Sequence, residues 1–280
     1  MISRCLELRG ETVREVPPGE VNRDPLQGVY LVARTWQGSK VLDLDGHFQR
    51  LEDSARALGR NLTVPRHRIR SVLASHLPGA APGSGAVRDV RFRVTAVLDD
   101  DPWYRLVLEE ALPVPPEILR EGALCRIQRG AARTNPRVKS LSWVHQRQAF
   151  FAAGGDGEVY EYLLTDREGR ILEGATSNAY ALIDGVLRTA GEGVLQGIAR
   201  KIVLHTAREV LPLEFTPVRE KDLPRVQEFF ISSATRGVVP VRRIDDHRLG
   251  PPGEITREIT RRYNRWLDEH LEPLAPPGEG

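Results

Sequence analysis

Lysine is nearly missing from this chain of 280 residues: it occurs only at Lys40, Lys139, Lys201 and Lys221, and every other basic residue is arginine. Arginine substitutes easily wherever a positive charge is all that is needed, so each surviving lysine marks a place where an amine is worth considering. Cysteine is equally scarce. Cys5 and Cys125 are too few for a disulfide framework and lack metal-ligand spacing, which leaves them as small buried residues. No apolar run approaches a membrane span, and the opening MISRCLELRG holds no signal-peptide core, so a cytoplasmic protein with no membrane partner is expected. Neither sign of charge dominates: a net +2 offers no basis for a nucleic-acid surface.

What remains is an ordinary globular composition, 40% hydrophobic and 28% charged, in a chain long enough for two domains. GVYLVARTW (28–36) reads as a strand, followed by a short strand at Lys40–Leu42. Asp45 is the expected cap of a helix in which Phe48, Leu51, Ala55 and Leu58 recur at three- and four-residue steps until Gly59. A second helix is expected over 65–77, opened by Pro65 and stopped by Pro78 and Gly79, and APGSG (81–85) is a loop. VRDVRFRVTAVL (87–98) and WYRLVLEEA (103–111) alternate as a hairpin around the DDDP turn.

The proline-rich 113–122 is taken as a linker between an N-terminal α/β domain, 1–112, and a C-terminal domain, 123–280. The latter carries strands near 123–129, 158–165, 170–173, 178–183, 186–189, 213–218, 227–232 and 238–243. Its helices are expected just after Lys139, over 198–211 and over 254–271, with the tail EPLAPPGEG frayed. The expected class is α/β with α+β character, its strand order not recoverable from the pattern.

Several places could carry chemistry. In RTNPRVKSLSWVHQRQAF (133–150), Lys139 stands where a loop enters a helix; taken alone it reads first as a surface lysine, but burial there would free its amine as a nucleophile. In GRILEGATSNAYALIDG (169–185), a strand ends in Glu173 before Gly174 and the hydroxyls of Thr176 and Ser177, ahead of Asn178. That is a polar hairpin, or a carboxylate placed to meet the protonated nitrogen of a pyridine ring. GVLQGIARKIVLHTAREVL (193–211) sets a glycine before a helix start, which can cradle a phosphate, as can the hydroxyl-bearing turn of FFISSATRGVVPV (229–241). DGHFQRLEDSARALG (45–59) offers His47 and Arg50 on one helix, where Arg50 is a solvated residue or a phosphate fork.

The order of HFQRL, an isolated lysine before a helix, LEGATSN, LQGI and ISSA resembles the fold-type IV pyridoxal 5'-phosphate enzymes. These are the class IV aminotransferases, among them branched-chain and D-amino-acid aminotransferases and aminodeoxychorismate lyase. The resemblance runs from about Gly28 to Val241 and implies a two-domain, D-amino-acid-aminotransferase-like fold with the cofactor in the cleft, in a homodimer. It makes Lys139 the Schiff-base and proton-transferring residue, Glu173 the partner of the pyridine nitrogen and Arg50 a phosphate ligand. Ser177 and Asn178 fall at the cofactor, and the N–H groups of Ile198 and Ala199 complete the phosphate cup with Ser233 and Ala234.

The chain departs from family patterns at several positions. Ala199 and Ala234 replace threonine hydroxyls, Val144 replaces a tyrosine aimed at the ring's phenolic oxygen, and Leu31 replaces a glutamate. On the strands, alternation puts Arg91, Arg93 and Thr95 on one face, and Tyr30, Val32, Arg34 and Trp36 on one face of theirs. By resemblance Arg34 and Arg91 match arginines of the branched-chain pocket and Tyr30 a tyrosine of the D-amino-acid enzymes, while the D-type carboxylate-binding arginine falls at Ala96. The expected substrate-binding set is therefore Tyr30, Arg34, Arg91 and Arg93. The expected reaction is transfer of an amino group between a branched-chain-like amino acid and a 2-oxo acid. Aminodeoxychorismate lyase is the alternative, and a non-catalytic binding scaffold the alternative outside enzymology.

Overall fold

The computed structural model describes residues 2–17, 27–77, 88–153 and 158–275. The stop at Pro78 and Gly79, the loop at 81–85 and the end of the tail lie outside them. Contacts divide the chain into two compact units: Met1–Leu112 with Val138–Trp143 and Leu267–Gly280, and Pro113–Arg137 with Val144–Trp266. The segment holding Lys139 therefore packs with the first unit, although sequence order placed it in the second domain.

The first unit contains β1 (Ile2–Arg9), β2 (Thr12–Glu15), β3 (Val29–Arg34), β4 (Lys40–Leu42), α1 (Leu44–Ala57), α2 (Arg66–Ser75), β5 (Val90–Val97) and β6 (Trp103–Glu110). Its five-stranded sheet runs β2-β1-β6-β5-β3, antiparallel throughout. The β5–β6 hairpin has the expected alternation: Val90, Phe92, Val94 and Ala96 enter the core beside Leu31, Ala33 and the Phe48–Leu51–Ala55 stripe of α1. Each large apolar side chain so buried contributes about 1.5–3 kcal/mol. The cap of α1 is Asp43 rather than Asp45; Asp43 adopts a left-handed conformation and its carboxylate accepts from the Gly46 N–H at 3.1 Å. Asp45 lies in the first turn, where its charge suits the helix dipole.

In the second unit, the expected linker contains a helix, α3 (Pro116–Glu121), with Pro116 in its first turn. Then come β7 (Ala123–Gln128), α4 (Leu141–Ala153), β8 (Glu161–Thr165), β9 (Ile171–Gly174), β10 (Asn178–Ile183), β11 (Val186–Arg188) and α5 (Ile198–Ala207). β12 (Leu213–Glu214), β13 (Glu228–Ser233), β14 (Gly237–Ile244), β15 (His247–Arg248) and α6 (Glu254–Glu269) complete it, save that α4 up to Trp143 and α6 from Leu267 count with the first unit. The order β10-β13-β14-β7-β8-β9 closes on itself, because β9 also pairs with β10 through Glu173 and Asn178. β8, β9 and β10 are buried along their whole length, whereas β7 and β14 of the same ring each expose a residue.

The expected fraying of the tail does not extend to its start: β16 (Leu271–Pro273) pairs with β4, and Leu274 is fully buried. No helix among the described residues is long and apolar enough to cross a membrane.

Candidate active site

In the first unit, Lys139 is held by main-chain contacts that its side chain does not share. Its carbonyl accepts from Tyr30 N–H at 2.9 Å, its N–H donates to Ser54 Oγ at 3.3 Å, and the Leu141 N–H donates to Gly28 O at 3.0 Å. The segment thus lies along the start of β3 as a short antiparallel bridge, Val29 to Ser140. Gly28 is squeezed from both sides: a Cβ there would stand 3.1 Å from Leu141 Cδ1 of this segment and 2.6 Å from Ala96 O on β5. The Lys139 amine sits over the Tyr30 ring, 5.1 Å from its centre. Ser54, which accepts from Lys139, donates to Arg50 O at 2.7 Å, and the Arg50 guanidinium meets His47 Nδ1 at 3.2 Å. Lys139 and Arg50 are therefore linked through one buried serine.

The register of β3 against β5 stacks Tyr30 opposite Thr95, Val32 opposite Arg93 and Arg34 opposite Arg91. Two of these arginines already have acidic partners: Arg34 donates to Asp89 at 2.9 Å and lies over the Trp36 ring, and Arg91 pairs with Glu109. A substrate carboxylate taken up by either would compete with that acid.

In the second unit the organising group is Glu173, 1% exposed at the end of β9. Its Oε2 accepts from the Leu195 N–H at 3.1 Å, while Leu195 O accepts from Asn178 Nδ2 at 2.9 Å. One residue thus ties the Glu173–Asn178 pair to the loop that starts α5. Gly197 fits because a Cβ there would stand 2.7 Å from Asn178 Oδ1. Gly197 gives α5 no side-chain cap, the first turn carries no acid, and Ile198 and Ala199 are buried. A helix start left this way presents N–H groups and the positive end of its dipole to an anion.

The carboxyl of Glu173 is pushed up to about 7 by burial, against the pull of Arg133, the Leu195 N–H and Arg200 and with a further push from Glu161. Arg133 Nε lies 2.9 Å from Glu173 Oε1, with both side chains buried, yet the two atoms lack the alignment of a hydrogen bond. Oε1 keeps the capacity to accept from a further donor.

The Ser177 hydroxyl is given to Glu161, whereas Ser233 Oγ accepts from Arg236 and keeps its own O–H to donate. Glu161, 0% exposed, accepts through Oε2 from Ser177 Oγ at 3.0 Å, from Thr176 Oγ1 and from Arg236 Nη2 at 3.1 Å. Arg236 Nε in turn donates to Ser233 Oγ at 3.0 Å. This network joins the turn after β9 to the turn after β13, where Ala234 lies. Sequence reasoning missed Arg133, Glu161, Arg236 and the buried Arg200. Arginines are too common here to stand out, and only Glu161, a charge at the start of an apolar strand, left a signal.

The amino-transferase class IV family model matches residues 28–244. A Methanocaldococcus jannaschii protein, provisionally assigned as a branched-chain-amino-acid aminotransferase, is 29% identical over 84% of this chain and 85% of its own length. The aminodeoxychorismate lyase of Bacillus subtilis is 24% identical over 85% of each chain. Among solved structures, an aminotransferase from Brucella abortus bound to the cofactor pyridoxal phosphate superposes with a TM-score of 0.72. The match covers 95% of this chain and 99% of that one at 23% identity, a likeness of fold.

Proposed function

The chain belongs to the class IV amino-transferase family, and from that we propose that it is a pyridoxal-phosphate-dependent aminotransferase moving amino groups between branched-chain-like amino acids and 2-oxo acids. The observation that carries this reading is the tie through Leu195, which fixes the buried Glu173 carboxylate relative to the uncapped start of α5. A pyridine nitrogen and a phosphate on one rigid ring require such a fixed pair of sites.

Each unit by itself carries residues that fit the cofactor. In the first, Lys139 would supply an amine and Arg50 positive charge for the phosphate; in the second, Glu173 would supply an acceptor for the ring N–H and Ile198 and Ala199 N–H donors for the phosphate. When bound, the cofactor withdraws electrons from the substrate's α-carbon. Lys139 Nζ takes the α-proton and returns it during the transfer, as a general base and then a general acid. Glu173 accepts the ring N–H and keeps that nitrogen protonated. Ser177 gives its hydroxyl to Glu161 and holds the turn after β9 in shape, while Ser233, which accepts from Arg236, keeps an O–H to offer the phosphate beside Ala234. Tyr30, Arg34, Arg91 and Arg93 are the proposed substrate-facing set.

A panel of amino acids of both hands, with 2-oxoglutarate as acceptor, tests this. Amino transfer from branched-chain substrates is expected. Pyruvate release from aminodeoxychorismate without any amino transfer would replace the reading with the lyase, which the Bacillus subtilis relative favours. A protein that takes up no pyridoxal phosphate would be a binding scaffold. The proposal includes a cytoplasmic homodimer, supported by the family resemblance; sedimentation equilibrium is expected to give twice the chain mass, and a monomer would refute it.

A further inference from the structure

We propose that Arg133 is a positioning residue that holds Glu173 as an oriented carboxylate, able to accept the ring N–H of the cofactor; this rests on the pyridoxal-phosphate reading above. The charged groups around Glu173 come from three elements. Arg133 stands on the loop after β7, Arg200 on α5 and Glu161 on β8. Arg200 spends its guanidinium on Thr189 Oγ1 at 3.1 Å, Ala190 O at 2.7 Å and Gln196 Oε1 at 3.3 Å. Glu161 is occupied by Arg236 and the two hydroxyls. Among the described residues, the cation in contact with Glu173 is Arg133, with side chains 6% and 2% exposed.

Burial opposes the charge on Glu173, and a neutral carboxyl there would carry a proton of its own. Facing a pyridine nitrogen, it would then donate rather than accept, leaving the ring unprotonated and the electron sink weak. A guanidinium, charged at every working pH, tips the balance toward the carboxylate. The division of labour between the two oxygens follows from the geometry. Oε2 is fixed by Leu195, and Oε1 feels the charge of Arg133 without an aligned hydrogen bond, so it remains able to accept.

The test uses Arg133→Met and Arg133→Lys in the full chain, with and without pyridoxal phosphate. Without cofactor, the Glu173 carboxyl stretch, assigned by its loss in Glu173→Gln, reports ionisation directly. A midpoint near 7 is expected in the unaltered protein. It should move up by about 1–3 pH units in Arg133→Met and return toward its original place in Arg133→Lys. Thermal stability should follow with a defined sign. Because the folded value lies above that of a free glutamate, the stability from protonated Glu173 is complete below about 4.3 and declines as pH rises through the folded value. The decline should extend to higher pH in Arg133→Met.

With cofactor, the dissociation constant for pyridoxal phosphate should rise roughly tenfold in Arg133→Met, and kcat should fall more than KM rises. An unmoved Glu173 midpoint with unchanged cofactor affinity would overturn the proposal. Uptake of no pyridoxal phosphate by the unaltered protein would overturn both the functional reading and the role of Arg133 toward the cofactor. If Arg133→Met does not fold, Arg133→Gln, neutral but still a donor, takes its place with the same expected shifts.

Discussion

Lys139→Ala is expected to abolish the visible absorption of lysine-bound pyridoxal phosphate and to lower turnover by on the order of a thousandfold or more, while leaving the fold intact. The contacts that seat this segment are main-chain: Tyr30 N–H to Lys139 O, Lys139 N–H to Ser54 Oγ and Leu141 N–H to Gly28 O all survive truncation. What disappears is the amine over the Tyr30 ring, a contact whose loss costs about 0.5–1 kcal/mol. Absorption spectra, turnover and thermal melting of the purified variant check the three parts separately. Lys139→Arg is the sharper control. It keeps a cation over Tyr30 but offers no amine that can be unprotonated at working pH. A Lys139→Arg protein that kept both the absorption and the turnover would remove Lys139 from the chemistry.

Arg236→Met is expected to cost about 3–5 kcal/mol of unfolding free energy, because it strands the Glu161 charge in the interior of the second unit. Glu161 is 0% exposed, and Arg236 is the cation bonded to its Oε2. The double variant Glu161→Gln with Arg236→Met should recover most of that loss, since replacing a buried ion pair on both sides is often nearly neutral. It should not recover the shape of the turns, which the pair sets through Thr176, Ser177 and Ser233. The double variant is therefore expected to approach the stability of the unaltered protein while binding pyridoxal phosphate more weakly. Denaturant unfolding without cofactor and a cofactor titration separate the two effects. A small loss in the single variant would mean that Glu161 is not held by Arg236.

Much of this architecture is legible in local patterns. The β5–β6 hairpin, the inward face of β3 and the stripe of α1 follow from two- and 3.6-residue periodicity, which exists before any tertiary contact. What escaped had partners distant in sequence. β1 reads poorly as a strand because Glu7 stands in it, and Glu7 is tolerated there by Arg105 at 2.7 Å, a residue on β6. β16 follows a helix and contains proline, and it is a strand because β4 pairs with it. Asp43 caps α1 through a left-handed backbone that its residue type allows but does not announce.

The same division runs through the candidate site. Lys139, Glu173 and the helix start after Gly197 are visible in the sequence, because an amine among arginines, a carboxylate closing an apolar strand and a glycine before a helix are local statements. Arg34 and Arg91 are equally visible, but their ion pairs with Asp89 and Glu109 are not.

Lys139, then, was determined by the sequence as the one lysine standing at a helix entrance ahead of LEGATSN and LQGI. Its assignment to the first unit, against β3 and Ser54, was decided only by the tertiary structure. So were the roles of Arg133, Glu161 and Arg236. A side chain's chemistry is written in its residue type, but its burial and the charges that surround it are properties of segments brought together by folding. It is these that determine whether a buried carboxyl such as Glu173 carries its charge.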